Sequence, residues 1–145
     1  MNASMDNIDV LLPHAGTARM IERVLRWDAD RIVAATARHR AADNPLRRDG
    51  RLAAVHLVEF AAQAVAIHGG LRNAAEGRPP QPALLVSARD VQVTRDYIDD
   101  LPGEIEIEAH ALLINQASWQ YEFTVRHAGA AIASGRVAAM AQDLD

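Results

Sequence analysis

Three polar side chains interrupt the most apolar stretch of the sequence. His56, Glu59 and Gln63 stand at offsets of 0, 3 and 7 residues within the segment from Leu52 to Ile67. In an α-helix, at about 100° per residue, these offsets place the three side chains within a stripe of about 60° along one edge. A histidine and a carboxylic acid on one edge could transfer protons as base and acid, and the glutamine amide could bind a substrate.

The composition of this segment predicts a helix. Leu52 to Ile67 contains no proline or glycine, is rich in helix-forming residues, and is followed by Gly69-Gly70. The two glycines are expected to end the helix, because glycine adopts the left-handed C-terminal conformation at least cost. The helix is apolar nearly all round, so we expect it to be wrapped by a sheet or by a partner subunit.

A carboxylic acid on such a buried helix must lose hydration. Its neutral, proton-donating form is then favoured, unless a cation or several hydrogen-bond donors hold the charge. Glu59 is therefore a candidate for acid catalysis. The alternative is that backbone groups or an arginine satisfy Glu59 and Gln63, which then take no part in chemistry. His68, next to Gly69 and about 120° from the polar stripe, is expected to cap the helix C-terminus.

The rest of the chain predicts an antiparallel sheet. Apolar and polar residues alternate with a period of two in several segments, which are separated by turn signals such as Asp28-Ala29-Asp30. The predicted strands are Met20 to Trp27, Arg31 to Arg38, Ala83 to Val93, a segment from Glu104 to Ile107, Trp119 to Val125, and Ala130 to Met140. We therefore expect a single α+β domain over residues 1–145, with about six strands around one long helix.

The composition excludes several classes of chemistry. The 15 basic residues are all arginine, they face 19 acidic residues for a net charge of −4, and cysteine is absent. Thiol nucleophiles, thiolate zinc sites, disulfides and Schiff-base lysines are therefore ruled out. The scattered arginines predict no nucleic-acid partner. The N-terminus lacks the pattern of a secretory signal and no long uncharged apolar run occurs, so we expect a cytoplasmic protein without membrane contact.

Motifs for cofactors and metals are missing as well. The serines lie in no G-x-S-x-G context, and the sequence has no H-E-x-x-H, phosphate-loop or G-x-G-x-x-G motif. His14 and His56 could in principle bind a metal, but no carboxylate–histidine spacing supports a site. The sequence therefore predicts neither a metal nor a cofactor.

Two segments resemble the 3-hydroxyacyl-acyl-carrier-protein dehydratases of the hot-dog fold. Leu11-Leu12-Pro13-His14 runs into the apolar stretch Met20 to Leu25, and the helix carries Val58 to Ala64. That family has an L-P-H segment before an apolar D-R-V strand and an E-A-M-A-Q-like helix. The layout from Ile8 to Ala141 is most similar to the branch associated with aryl polyene pigment synthesis. The resemblance implies a hot-dog fold and dehydration of 3-hydroxyacyl thioesters in fatty acid or polyene synthesis.

The resemblance also implies roles for residues. The family's working pair is the helix glutamate, matched by Glu59, and a histidine from the loop before the helix, usually assembled across a homodimer interface. Gln63 matches the family's glutamine. The loop histidine is not present, because the chain has Asp43-Asn44-Pro45 about fourteen residues before Glu59. If this chain has a shorter loop than the family, the family's histidine position corresponds to Arg48-Asp49, and neither residue is a histidine.

A dehydratase mechanism then needs three functions. Glu59 would protonate the departing hydroxyl, and the free amides of Ala54 and Val55 at the helix start would bind the thioester oxygen. The base is either His56, one turn before Glu59, or His14 of the L-P-H segment.

The expected partners follow from this mechanism. The substrate would be an acyl thioester on an acidic acyl carrier protein, which Arg47, Arg48 and Arg51 would bind unless they form only a solvated loop. An unpaired sheet edge predicts a homodimer. Two alternatives stay open: a catalytically silent hot-dog subunit that binds acyl carrier protein or an active paralogue in a heterodimer, and an acyl thioesterase in which Glu59 activates water.

Overall fold

One sheet and one long helix make up the fold in the part of the chain that the structure describes. The computed structural model describes residues 16–79, 81–115 and 117–141. The strands are β1 (Arg23–Trp27), β2 (Arg31–Thr36), β3 (Ala83–Val93), β4 (Ile105–Ile114), β5 (Ser118–His127) and β6 (Ala130–Ala141). The helix α1 (Leu57–Ala75) follows the 3-10 turn Ala54–His56, and two further 3-10 turns lie at Gly16–Ala18 and Arg38–Arg40.

The six strands pair antiparallel in the order β1-β2-β4-β5-β6-β3. The predicted α+β arrangement is thereby confirmed. One face of the sheet packs on α1, and burial along β4 and β5 has the period of two that an alternating sequence predicts. The buried residues of the two central strands are Ile105, Ile107 and Ala109 on β4 and Tyr121, Phe123 and Val125 on β5.

The helix is longer than the sequence predicted. It continues through Gly69-Gly70 to Ala75, so the predicted end at the two glycines is wrong. The glycines cost about 1 kcal/mol each in a helix, but Leu71 beyond them is 9% exposed, and its burial favours another turn. The helix ends instead at Ala75, and Gly77, which follows the C-cap residue Glu76, takes up the left-handed conformation with a φ of 72°. There the N–H of Arg78 donates to the Asn73 carbonyl at 2.8 Å and the N–H of Gly77 to the Ala74 carbonyl at 3.1 Å, a Schellman motif.

His68 lies inside the core and does not cap the helix, contrary to prediction. Its Nε2–H donates to the Asp28 carbonyl at 2.7 Å, so Nδ1 accepts a 2.6 Å hydrogen bond from the Tyr121 hydroxyl. The Trp27 ring contacts the imidazole edge-on. Burial lowers the pKa of His68 and raises the pKa of Tyr121 to about 12. The imidazole is therefore a neutral link between α1, β5 and the β1–β2 turn.

Gly135 allows a close approach between three strands. A Cβ atom on Gly135 of β6 would lie 2.9 Å from Cε1 of Phe123 on β5 and 3.2 Å from Cα of Val91 on β3. The first distance is shorter than real Cβ contacts and the second is tight, so a side chain at this position would force the Phe123 ring and the Val91 backbone to shift.

The helical segment Ala54–Ala75 is long and apolar enough to cross a membrane by length and composition alone. In the fold, however, 61% of the 18-residue stretch that is apolar enough to do so is buried inside the protein. That burial is typical of the core helix of a soluble protein.

Candidate functional site

Two of the three polar residues of the helix edge are in direct contact. The Gln63 amide donates a 3.1 Å hydrogen bond to Oε1 of Glu59. Glu59 is half-buried, which is less than the full burial expected, and Gln63 is 2% exposed. His56 is also half-buried and lies at the end of the 3-10 turn that leads into α1. Within the residues that the structure describes, the His56 ring makes no hydrogen bond.

Gln63 uses all its amide hydrogens. Besides the bond to Glu59, its Nε2 donates to the Ala18 carbonyl at 2.9 Å, and its Oε1 accepts the Met20 N–H at 2.7 Å. Gln63 therefore ties the chain at residues 18–20 to the helix and orients Glu59. Both N–H groups of the Gln63 amide therefore have partners inside the protein, and the substrate-binding role of Gln63 stays a prediction.

The helix start offers one free amide where the sequence predicted two. The Ala54 N–H donates to the Asp96 carbonyl at 2.8 Å, so the prediction of a free amide there is wrong. The cause is a strand-like bridge between Ala53 and Tyr97, which brings the chain after β3 against the helix start. Among residues 16–79, 81–115 and 117–141, nothing accepts a hydrogen bond from the Val55 N–H, and the Val55 side chain is 56% exposed.

The three arginines of the predicted docking cluster have different surroundings. Arg51 forms an ion pair with Asp99 at 3.1 Å, and its guanidinium lies 4.1 Å above the centre of the Tyr97 ring. Arg48 is exposed and donates only to backbone carbonyls, among them that of Arg47 at 2.9 Å. Arg47 is half-buried, and its guanidinium donates to the carbonyls of Arg40, Ala41 and Gly50. Arg48 thus retains the most accessible charge of the three.

Sequence reasoning missed two residues that build the loop before the helix. The Arg38 guanidinium donates to the carbonyls of Thr17 at 2.7 Å and Arg19 at 3.2 Å, and to Asp43 at 3.0 Å. The buried Asn44 amide donates to the Arg38 carbonyl at 2.8 Å. The Asn44-Pro45 pair signals a turn in the sequence, but the carbonyls that Arg38 binds are distant along the chain and carry no such signal.

Two other histidines complete the account of this region. His39 is fully buried, and its Nε2–H donates to the Leu101 carbonyl at 2.9 Å. Its Nδ1 has no hydrogen-bond partner in the described part of the chain, and burial lowers its pKa. His14, the second candidate base, lies outside the described residues, two positions before Gly16.

The site borders an exposed edge of the sheet. β3 is an edge strand whose residues are exposed or half-buried along its whole length. Its large apolar side chains are strongly exposed, with Leu84 at 53% and Val86 at 52%. The chain that continues from β3 reaches the helix start through the Asp96–Ala54 hydrogen bond. Within the described ranges, no three His, Asp or Glu side chains are grouped so as to hold a metal ion.

Six antiparallel strands around one long helix define the hot-dog fold, which dehydratases and thioesterases share. A family model described as ApeP dehydratase matches residues 6–145, and the chain therefore belongs to the ApeP-like dehydratase family. The predicted fold and family resemblance are both confirmed.

Solved structures support the same fold. "The Dehydratase Heterocomplex ApeI:P from Xenorhabdus doucetiae" aligns with a TM-score of 0.86 and 18% identity over 94% of this chain and 91% of that one. A thioesterase from Haemophilus influenzae aligns with a TM-score of 0.65 and 13% identity over 98% and 92% of the two chains. AziG from S. sahachiroi aligns with a TM-score of 0.60 and 16% identity over 83% and 90%. No curated protein sequence matches significantly.

Proposed function

We propose that the protein is a dehydratase that converts 3-hydroxyacyl thioesters of acyl carrier protein to enoyl thioesters in fatty acid or polyene synthesis. The observation that carries this proposal is the Glu59–Gln63 pair beside the free Val55 N–H. Four residues separate Val55 from Glu59, about 6 Å along a helix. A 3-hydroxyacyl thioester carries its carbonyl oxygen and its hydroxyl two carbons apart, which a group at each end of that span can contact.

The proton balance assigns each group a role. A base removes a proton from C2, the electron pair forms the double bond, and the C3–O bond breaks as Glu59 protonates the leaving hydroxyl to give water. The Val55 N–H, at the positive end of the helix dipole, stabilises the charge on the thioester oxygen, with a contribution of about 3 kcal/mol for a well-placed donor. Ala54 lies next to Val55, but its N–H donates to the Asp96 carbonyl and does not bind the thioester oxygen.

Two histidines are candidates for the base. His56 belongs to the turn that enters α1 and has a ring without a hydrogen bond among the described residues. His14 precedes the Gly16–Ala18 turn, and the Ala18 carbonyl is bound by Gln63 beside Glu59. His56→Ala and His14→Ala are compared with His110→Ala on β4. The base is the histidine whose loss removes turnover, and unchanged turnover eliminates a candidate.

A partner subunit is part of the proposal. β3 offers 11 residues of unpaired edge, and its continuation touches the helix start, so a subunit paired there would lie close to Val55. Either a second copy or a paralogue could pair, and the similar ApeI:P protein is a dehydratase heterocomplex. Arg48, together with Arg47 and Arg51, is the proposed contact for an acidic carrier protein. The proposed compartment is the cytoplasm.

One observation favours a second candidate function. The loop before the helix holds Arg38 and Asn44 in backbone hydrogen bonds, and about fourteen residues before Glu59 it has Asp43-Asn44-Pro45 and no histidine. A catalytically silent subunit that supports an active paralogue would have such a loop. Thioesterases share the fold. If this protein were a thioesterase, Glu59 would activate water.

A single assay separates the three functions. The purified protein, alone and mixed with a catalytically competent paralogue, is given 3-hydroxyacyl and saturated acyl thioesters of acyl carrier protein. A dehydratase forms enoyl product by itself, a thioesterase releases free thiol, and a silent subunit forms neither until the paralogue is added. Free thiol without enoyl product would contradict the proposed dehydration.

A further inference from the structure

We propose that Arg38 is a positioning residue for Glu59, which acts by fixing the chain from Thr17 to Met20 against Gln63. Arg38 and Gln63 together form a clamp on this segment. The catalytic consequence rests on the proposed function, whereas the clamp itself does not. Neither the composition nor the motifs of the sequence point to Arg38.

Each of four consecutive residues has a backbone group bound by the clamp. Arg38 donates to the carbonyls of Thr17 at 2.7 Å and Arg19 at 3.2 Å. Gln63 donates to the Ala18 carbonyl at 2.9 Å and accepts the Met20 N–H at 2.7 Å. The two side chains therefore grip alternate residues of the same short segment. A planar guanidinium can reach two carbonyls and a carboxylate at once, which an ammonium group cannot do as rigidly.

The segment in turn determines how Gln63 faces Glu59. Because Oε1 of Gln63 accepts the Met20 N–H, its Nε2 must face the Ala18 carbonyl and the Glu59 carboxylate. If the segment moved, Gln63 would lose two partners and Glu59 would lose an oriented donor. Arg38 therefore reaches Glu59 through two steps, the backbone and the Gln63 amide, without touching a substrate.

We expect the hydrogen bonds from Arg38 to the Thr17 and Arg19 carbonyls to position Glu59, and not the ion pair of Arg38 with Asp43. The Arg38 side chain is 18% exposed, whereas that of Asp43 is 64% exposed. An ion pair with so exposed a partner is screened and contributes little. Asp43→Asn therefore distinguishes the two contributions, because it removes the ion pair and leaves the hydrogen bonds from Arg38 to the two carbonyls in place.

The test combines an activity measurement with one that needs no activity. Arg38→Gln is compared with Arg23→Gln, which removes an exposed arginine of β1 that forms an ion pair with Glu104. We expect kcat for enoyl formation to fall about tenfold to a hundredfold in Arg38→Gln, with KM within about twofold. Asp43→Asn and Arg23→Gln should keep kcat. Guanidinium ion added to Arg38→Ala should restore part of the lost kcat.

Hydrogen exchange at the Met20 amide reports the clamp directly. It should accelerate about tenfold or more in Arg38→Gln and stay unchanged in Arg23→Gln. Arg38→Lys, which keeps the charge and stem, replaces Arg38→Gln if that variant fails to fold. Unchanged exchange would overturn the clamp. Faster exchange with unchanged kcat, or a loss confined to KM, would overturn the positioning role. Absence of enoyl formation by the wild-type protein under all conditions would contradict the proposed function and leave the exchange result to decide on the clamp.

Discussion

The two edges of the sheet are built differently. The β1 edge is a five-residue strand with a register shift between Val24 and Arg26, and its Arg23 is paired with Glu104. The β3 edge is 11 residues long and exposes Leu84 and Val86. The pairing of β3 with β6 also has register shifts, between Leu85 and Ser87 and between Arg89 and Gln92, so length and apolar exposure are what distinguish the two edges. A short edge strand resists further strand pairing, whereas a long apolar edge invites it. The difference favours the β3 edge, whose continuation contacts the helix start, as the side on which the proposed partner subunit pairs.

The largest effect should come from placing a charge on the β3 edge. Val86→Lys would put like charges against each other in a symmetric pair, or bury an unpaired charge against a paralogue, at a cost of several kcal/mol. The dissociation constant of the dimer, measured by sedimentation, should rise by more than about a hundredfold. Arg26→Glu on the β1 edge should leave it unchanged. Equal effects at both edges would remove the distinction between them.

A methyl group at Gly135 should loosen the attachment of the β3 edge to the sheet. Gly135→Ala forces Phe123 and the backbone at Val91 to move, which should lower the free energy of unfolding by about 1–3 kcal/mol. Gly69→Ala is the matched control, because its Cβ meets nothing within 4 Å in α1. That variant should raise the free energy of unfolding by about 0.5–1 kcal/mol. Denaturant titration measures both, and a neutral Gly135→Ala would show that β3 can shift freely.

Lowering the pH should destabilise the folded protein near the β1 edge, where His68 links α1 to the carbonyl of Asp28. Burial lowers the pKa of His68 and of His39 in the folded state, so the unfolded chain binds more protons below its own histidine pKa of 6.5. The free energy of unfolding should therefore fall as the pH drops below about 6.5, by at most about 1.4 kcal/mol per pH unit for each histidine. His68→Gln should reduce this slope, and His110→Gln should not. A flat profile between pH 7 and 5 would contradict the neutral assignment.

The smallest effect is expected for carrier-protein binding when Arg48, the exposed arginine in the loop before the helix, is replaced. Arg48→Glu should weaken binding of an acidic carrier protein by a few-fold, with most of the loss at low salt, because an exposed charge is screened. Arg23→Glu on the β1 edge should change binding less. Titration at two salt concentrations distinguishes the cases, and equal losses for both variants would indicate a nonspecific charge effect.

Local patterns were sufficient to predict most of the fold. The period-two alternation of β5 and the apolar run of α1 depend on neighbours along the chain, and both were predicted. The helix end was wrong because Leu71 is buried by tertiary contacts that the Gly69-Gly70 rule does not include. The occupied Ala54 amide depends on Asp96, which is distant in sequence, and so could not be predicted from the segment itself.

The candidate site was predictable in its members and not in its connections. Glu59 and Gln63 stand out because polar residues are conspicuous on an apolar helix. The grip of Arg38 on Thr17 and Arg19 involves backbone carbonyls, which every residue has and which leave no mark on a sequence. The hydrogen bonds of Gln63 to the backbone groups of Ala18 and Met20 could not be predicted for the same reason, and its substrate-binding role stays a prediction.

The most direct test of the account is the rate of enoyl thioester formation by Glu59→Gln. The wild-type protein, Glu59→Gln and the control Glu106→Gln are given a 3-hydroxyacyl thioester of acyl carrier protein, with the partner subunit present, and the absorbance of the conjugated product is followed. The account predicts that Glu106→Gln keeps its rate and that Glu59→Gln loses a factor of about 10² to 10⁴, because the glutamine amide cannot donate a proton to the leaving hydroxyl. A Glu59→Gln variant that dehydrates the thioester at the wild-type rate would contradict it.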